Sequence, residues 1–283
     1  SQFEIVPEVL DNTVKKEELI KRIGDAFATC ETKIDLEGED LYVLPKVYAK
    51  DEVITSAQSK ANKYAHSNIV YDFSYTKEYV DYETIKDWIK ISKEFKVTLD
   101  KDKMRRYISG LCNKYNTMGS SRDFTTSSGE EIHVYDGDYG WKIDNGKELD
   151  KLVSNVKSGE DVTREPEYEY RAQCRNSARD DIGSSYVEVN LTQQEVWLYI
   201  DGSCIANSSC VSGKPVKGRK TYPGVYSITY KQRDATLVGE NYSSPVKYWM
   251  PFDGNRGLHD ASWRNSFGGN IYKRDGSHGC VNL

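Results

Sequence analysis

Apolar positions follow two regimes along the chain. Up to about residue 166 they recur mainly at helical spacing; beyond it they come in short alternating runs broken by turns. In the first regime Leu19, Ile20, Ile23 and Phe27 predict a helix over 11–30, with Asp11 or Thr13 as its cap. Tyr42–Pro45 reads as a short strand, 51–64 as a second helix and Ile69–Phe73 as a strand. A short helix is expected over 82–91. Asp100 then caps a helix through Tyr115 that sets Met104, Tyr107, Ile108 and Leu111 on one face. Strands at 123–126 and 131–135 flank the Ser127-Ser128-Gly129 turn, and a last helix covers 147–158.

The second regime predicts strands at 186–191, 196–200, 204–211, 224–230 and 246–250, with Asp201-Gly202 as a hairpin turn. The pattern implies an α+β N-terminal domain over 1–166, followed by a mostly β domain, sandwich- or barrel-like, over 167–283. Gln173–Ser185 is the expected connector.

The 283 residues are enough for about two domains. A net charge of −5 argues against nucleic acid, because phosphate binding wants a basic face. No run of about 18 apolar residues spans a membrane. The start, Ser1-Gln2-Phe3-Glu4, has neither the basic nor the apolar region of a signal peptide, so the chain is either cytosolic or separated from its export signal or anchor.

Six cysteines, at 30, 112, 174, 204, 210 and 280, form no CxxC pair and no zinc spacing, so no metal is expected. Cys204 and Cys210 share one strand-like run; six residues at about 3.3 Å each separate them by roughly 20 Å, beyond disulfide reach. Five cysteines are expected as buried small hydrophobes. Cys280 is the exception.

Cys280 closes the run Gly276-Ser277-His278-Gly279-Cys280-Val281-Asn282, and His259 stands upstream in Gly257-Leu258-His259-Asp260. A thiol attacks a carbonyl as thiolate, and a neighbouring imidazole supplies the base. A lone cysteine is usually buried filler, but two of only four histidines near one glycine-framed cysteine bring that chemistry level with it, without naming the reaction. The amides of Gly279 and Cys280 are candidates for a developing oxyanion. His278 runs parallel to the thiol on an extended segment, whereas His259 can point across from an adjacent strand.

Ser277-His278-Gly279-Cys280-Val281-Asn282 resembles the signature of the L,D-transpeptidases, whose catalytic domain is of the YkuD type. The likeness extends to Asp181-Ile182-Gly183, Val196-Trp197-Leu198-Tyr199, Tyr248-Trp249-Met250-Pro251-Phe252 and His259-Asp260-Ala261 with Trp263-Arg264, as in Gram-positive members. Asn62-Lys63-Tyr64, Asp87-Trp88-Ile89 and Gly137–Trp141 resemble the peptidoglycan-binding domain that precedes it. The resemblance implies Cys280 as nucleophile, His259 as base, and Ser277, His278 and Gly279 in the catalytic site. Ser277 would help orient the base through its backbone. Trp249, Trp263, Arg264 and Asn282 fall at substrate-side positions.

It further implies a Cys280 thioester with a tetrapeptide stem, release of D-Ala, a 3→3 cross-link to an acceptor amine, inhibition by carbapenems, no cofactor, and a place outside the cytoplasm in the wall or anchored at the membrane. The rivals are an L,D-carboxypeptidase using water on the same residues, and a non-catalytic wall-binding protein. The family's domain continues past the motif with a helix and a strand, which 167–283 is expected to lack.

Overall fold

The computed structural model of the chain describes residues 2–8, 12–239 and 242–283. The first elements are α1 (Lys16–Thr29), α2 (Glu52–Ala65), β1 (Ile69–Asp72), β2 (Lys77–Val80), α3 (Tyr82–Lys86), β3 (Ile89–Ile91), β4 (Val97–Leu99) and α4 (Lys101–Tyr115). Next come β5 (Arg122–Thr125), β6 (Glu131–Val134), β7 (Lys142–Ile143), α5 (Asn145–Ser158), β8 (Val162–Arg164) and β9 (Tyr168–Tyr170). Strands then dominate: β10 (Tyr186–Asn190), β11 (Glu195–Ile200), β12 (Ser203–Ser209), β13 (Gln232–Gly239), β14 (Tyr242–Asp253) and β15 (Arg256–His259), before α6 (Ile271–Asp275) and β16 (Val281–Asn282). The helix-bearing first part and the mostly β second part agree with the predicted fold class. Among the described residues no helix is long and apolar enough to cross a membrane.

The residues pack as two compact units that interleave in sequence: 1–69, 80–103 and 153–162 in one, 70–79, 104–152 and 163–283 in the other. In the first unit α2 buries Ala57, Ala61, Tyr64 and Ala65, and the three alanines let α3, β3 and β4 approach. Asp100 Oδ1 accepts the N–H groups of Asp102 and Lys103, the predicted cap. Two helical expectations change. The helix over 82–91 stops at Lys86, because Ile89-Lys90-Ile91 pairs with Val97-Thr98-Leu99 as a hairpin. The stripe on α1 is not a core face: Ile20 is 60% and Phe27 82% exposed, and only Ala26 is buried. Asp11 lies outside the described residues, and Lys15 holds the cap position with no side-chain bond.

In the second unit the strands from Tyr186 onward form two open sheets, in the orders β10-β11-β12 and β13-β14-β15-β16. Asp201 and Gly202 turn between β11 and β12 with φ of 47° and 78°, as a tight two-residue hairpin requires. Val196, Cys210, Leu258 and Val281 form the core, with Val187, Val189, Ile228, Met250 and Phe252 packed on it. The strand predicted at 224–230 is an extended loop: Val225 bonds backbone to backbone with Asp136 and Tyr139, leaving the ladder to β13.

The predicted connector is not a loose linker. Arg175 and Asp181 within it are buried. Asp181 receives Arg122 in a two-pronged bond, Nε to Oδ1 at 2.5 Å and Nη2 to Oδ2 at 2.9 Å, with both side chains fully buried. Thr117 Oγ1 also donates to this carboxylate, and the Tyr139 and Ser120 carbonyls accept two more guanidinium N–H groups. Removing one partner strands the other charge without water, so Arg122→Met is expected to destabilise the chain by about 3–5 kcal/mol. The measurement is the urea unfolding midpoint. A change under about 1 kcal/mol, the scale of an exposed pair, would show that the ion pair does not hold this segment.

Candidate active site

The site grows from the ladder β14-β15-β16. Trp249 faces His259 in the antiparallel pair, and β15 runs parallel to β16 with Leu258 opposite Val281 and His259 opposite Asn282. Leu258 and Val281 enter the core. Side chains alternate along a strand, so His259, Asn282 and, one pleat earlier, Cys280 share the other face. Leu258 and Val281 also line a cleft of about 960 Å³ with Phe124, Tyr186, Tyr222 and Phe252. By the same alternation the candidate chemistry faces away from that cleft.

His259 is 3% exposed. Its Nδ1 lies 2.9 Å from the Asp260 carbonyl, and Asn282 Nδ2 lies 3.1 Å from its Nε2. A carbonyl only accepts, so Nδ1 carries the proton and Nε2 presents a lone pair. Two indoles contact the ring, Trp249 and Trp263, at centroid distances of 5.9 and 5.8 Å. Asp260 Oδ1 accepts the Tyr248 N–H at 2.8 Å, tying the residue whose carbonyl orients the ring back to β14. Burial lowers the imidazole pKa below its ordinary 6.5, against the opposing pull of the Asp260 carbonyl and charge.

Cys280 is half-buried against Ala235, Leu237, Val246 and Trp249. Its Sγ–H donates to Asn255 O at 3.7 Å. Burial raises the thiol pKa, opposed by the Gly257 N–H and the Arg256 charge. Both shifts, thiol up and imidazole down, disfavour a resting thiolate–imidazolium pair. The turn before the sulfur is braced by Ser277, whose Oγ donates to Cys280 O at 2.6 Å and accepts the Gly279 N–H at 3.0 Å. Gly279 has φ of 120°, which an L side chain rarely adopts.

The site lies within a match to the L,D-transpeptidase catalytic domain (YkuD) over 184–283, and residues 50–164 match a family described as "Putative peptidoglycan binding domain". A crystal structure of an Enterococcus faecium L,D-transpeptidase cysteine-to-serine mutant is 33% identical, with 80% of this chain and 90% of that one covered at a TM-score of 0.65. The Ldtfm–avibactam carbamoyl enzyme is 32% identical, with 81% and 90% covered and a TM-score of 0.65. This chain belongs to the L,D-transpeptidase family. No curated protein matches it.

In this chain the predicted site residues are not all gathered at the sulfur. His259 and Cys280 share a face without a hydrogen bond between them: Nε2 is met by Asn282, and Sγ by Asn255. His278 is exposed, and burial together with Arg219 lowers its pKa. Ser277 does not reach the base through its backbone, which bonds Ser212 and Lys214 instead. The Gly279 amide, expected at an oxyanion, is taken by Ser277 Oγ. Asn282, expected to touch substrate, is 2% exposed and serves His259.

Trp249 is buried at 7%, its indole donating to Tyr230 OH at 3.2 Å, while Trp263 is 49% exposed. Arg264 pairs with Asp275 at 2.9 Å. Of the cysteines expected as buried filler, Cys210 alone is buried; Cys30 and Cys204 are exposed, and Cys112 and Cys174 half-buried. Cys204 is exposed because every position of β12 is. Among the described residues no three His, Cys, Asp or Glu side chains could hold a metal ion.

Proposed function

We propose that the chain is a peptidoglycan L,D-transpeptidase working through a Cys280 thioester. The observation that carries this reading is a half-buried thiol one pleat from a buried imidazole whose tautomer leaves Nε2 as acceptor. Nε2 exchanges the Asn282 amide for the thiol and takes its proton as sulfur attacks the carbonyl between the third stem residue and the terminal D-Ala. The S–C bond forms, the C–N bond breaks, and the imidazolium returns its proton to the leaving D-Ala amine. A side-chain amine of a second stem then attacks the thioester, giving a 3→3 cross-link and freeing the thiol. Because thiol and imidazole are both neutral at rest, proton transfer accompanies attack. Trp249, Trp263 and Arg264 stand where the donor stem passes.

Residues 1–166 hold the enzyme to peptidoglycan, which places it outside the cytoplasm at the wall. The similar Ldtfm–avibactam structure is a covalent carbamoyl enzyme, which supports the reading that Cys280 here is acylated by β-lactam-type inhibitors such as carbapenems. The test offers a tetrapeptide donor with and without an acceptor amine and follows products by mass. A cross-linked dimer that depends on Cys280 is expected. Tripeptide alone, at every acceptor concentration, would make water the acceptor and the protein a carboxypeptidase; an unchanged donor would leave a wall-binding protein.

A further inference from the structure

Arg256 occupies the one flank of the Cys280 turn that the mechanism above leaves unused. It opens β15 after the Asp253-Gly254-Asn255 tip, and its Nη1 bonds Asp253 Oδ2 at 2.6 Å. The guanidinium carbon sits 4.7 Å from the Tyr222 ring centroid. On its other side the stem presses on Gly279: a Cβ there would meet Arg256 Nε at 2.7 Å and Cδ at 2.8 Å. The Nε–H is buried and without a partner. Thr221, next to Tyr222, donates to Gly279 O at 2.8 Å and accepts the Gly213 N–H at 2.9 Å. Arginine is thus packed between an aromatic face and the glycine that precedes the thiol.

The geometry points to Arg256 as a positioning residue for Cys280: held by Tyr222 and Asp253, its guanidinium backs the Gly279–Cys280 peptide and keeps a fixed positive charge beside the nucleophile. Gly279 is then glycine for two reasons, its left-handed φ and the arginine stem that fills the space of a side chain. The cation acts in a half-buried setting where water screens it less than at an open surface. It favours the thiolate, and with it the negative charge that gathers on the substrate oxygen at the same turn.

The other ionisable groups around the sulfur are few. His259 lies on the same strand as Arg256, and Asp253 on β14 is the guanidinium's own partner. Tyr222 and Tyr226 come from the 221–231 loop, the latter with its pKa raised by burial and by Asp253. His278 and Arg219 lie on the exposed side of the turn. The faces of β13 and β14 against the thiol are apolar.

The inference rests on Cys280 being the nucleophile, and its test is separate from acyl transfer. The rate of iodoacetamide alkylation at Cys280, followed by peptide mass in the 283-residue chain, reports the thiolate fraction against pH without any stem substrate. Arg256→Met is expected to raise the midpoint of that curve by roughly half to one pH unit, slowing alkylation at pH 7 about three- to tenfold. Arg256→Lys keeps the charge and falls between. Asp253→Asn removes the opposing anion and shifts the midpoint the other way. Opposite shifts in the methionine and asparagine variants support the assignment. An unchanged midpoint in both, or shifts of the same sign, overturns it, even where Arg256→Met lowers the melting temperature. Loss of carbapenem acylation with these alkylation shifts intact would count against the nucleophile reading instead.

Discussion

Exposure of the chain to a carbapenem is expected to add one acyl group, on Cys280, and Cys280→Ala is expected to abolish both the adduct and turnover. The competing thiols differ in kind. Cys210 is buried in the core, and burial pushes its pKa up to about 12, so it offers almost no thiolate at neutral pH. Cys204 is exposed on β12, with its Sγ–H directed at Ala206 O at 3.7 Å. It has access without an imidazole on its face. Burial raises the pKa of Cys280 as well, yet this thiol alone lies beside a glycine-flanked turn, one pleat from an imidazole lone pair. Acylation needs the base and the polarised carbonyl more than it needs a preformed thiolate. Intact mass followed by peptide mapping reads the result. Cys204→Ala and Cys210→Ala should keep the adduct; an acyl group on any residue other than Cys280 would remove the mechanism's first step.

What the sequence made legible was local. The Asp201-Gly202 hairpin and the Asp100 cap each depend on residues within a few positions, and both are where the pattern put them. The Ser277–Asn282 run marks its own turn, because Ser277 Oγ, the Gly279 amide and the Cys280 carbonyl bond within four residues. Long-range pairings left no comparable mark. Nothing in the periodicity joins Arg122 to Asp181, and the 224–230 run has strand composition but divides its backbone bonds between the 136–139 segment, at Val225, and Pro251, at Thr229. Exposure on α1 and β12 escaped the pattern for a related reason, since an apolar stripe says that a face can be buried, not that anything covers it. Asn282 beside His259 follows from a parallel register between residues distant in sequence. Arg256 was missed although the Asp-Gly-Asn tip before it signals a turn, with Asp253 and Arg256 three apart across it.

His259→Ala is expected to lower the carbapenem acylation rate by roughly 10²–10⁴-fold, the range for a lost general base, while His278→Ala costs less. The imidazole is buried, held in one tautomer by Asp260 O, and shares a strand face with the thiol; His278 is exposed. The pH dependence separates base from scaffold. Burial holds the folded pKa of His259 below 6.5, so the fold prefers the neutral ring. As pH falls below 6.5 the unfolded chain takes up the proton first, and the stability tied to the neutral ring is lost toward the lower folded pKa. The acylation rate should likewise hold through pH 6.5 and fall only below it, and this acid limb should vanish in His259→Ala. Asn282→Ala leaves Nε2 without its amide partner and should change the rate far less than removing the ring. An acid limb that survives in His259→Ala and disappears in His278→Ala would exchange the roles of the two histidines.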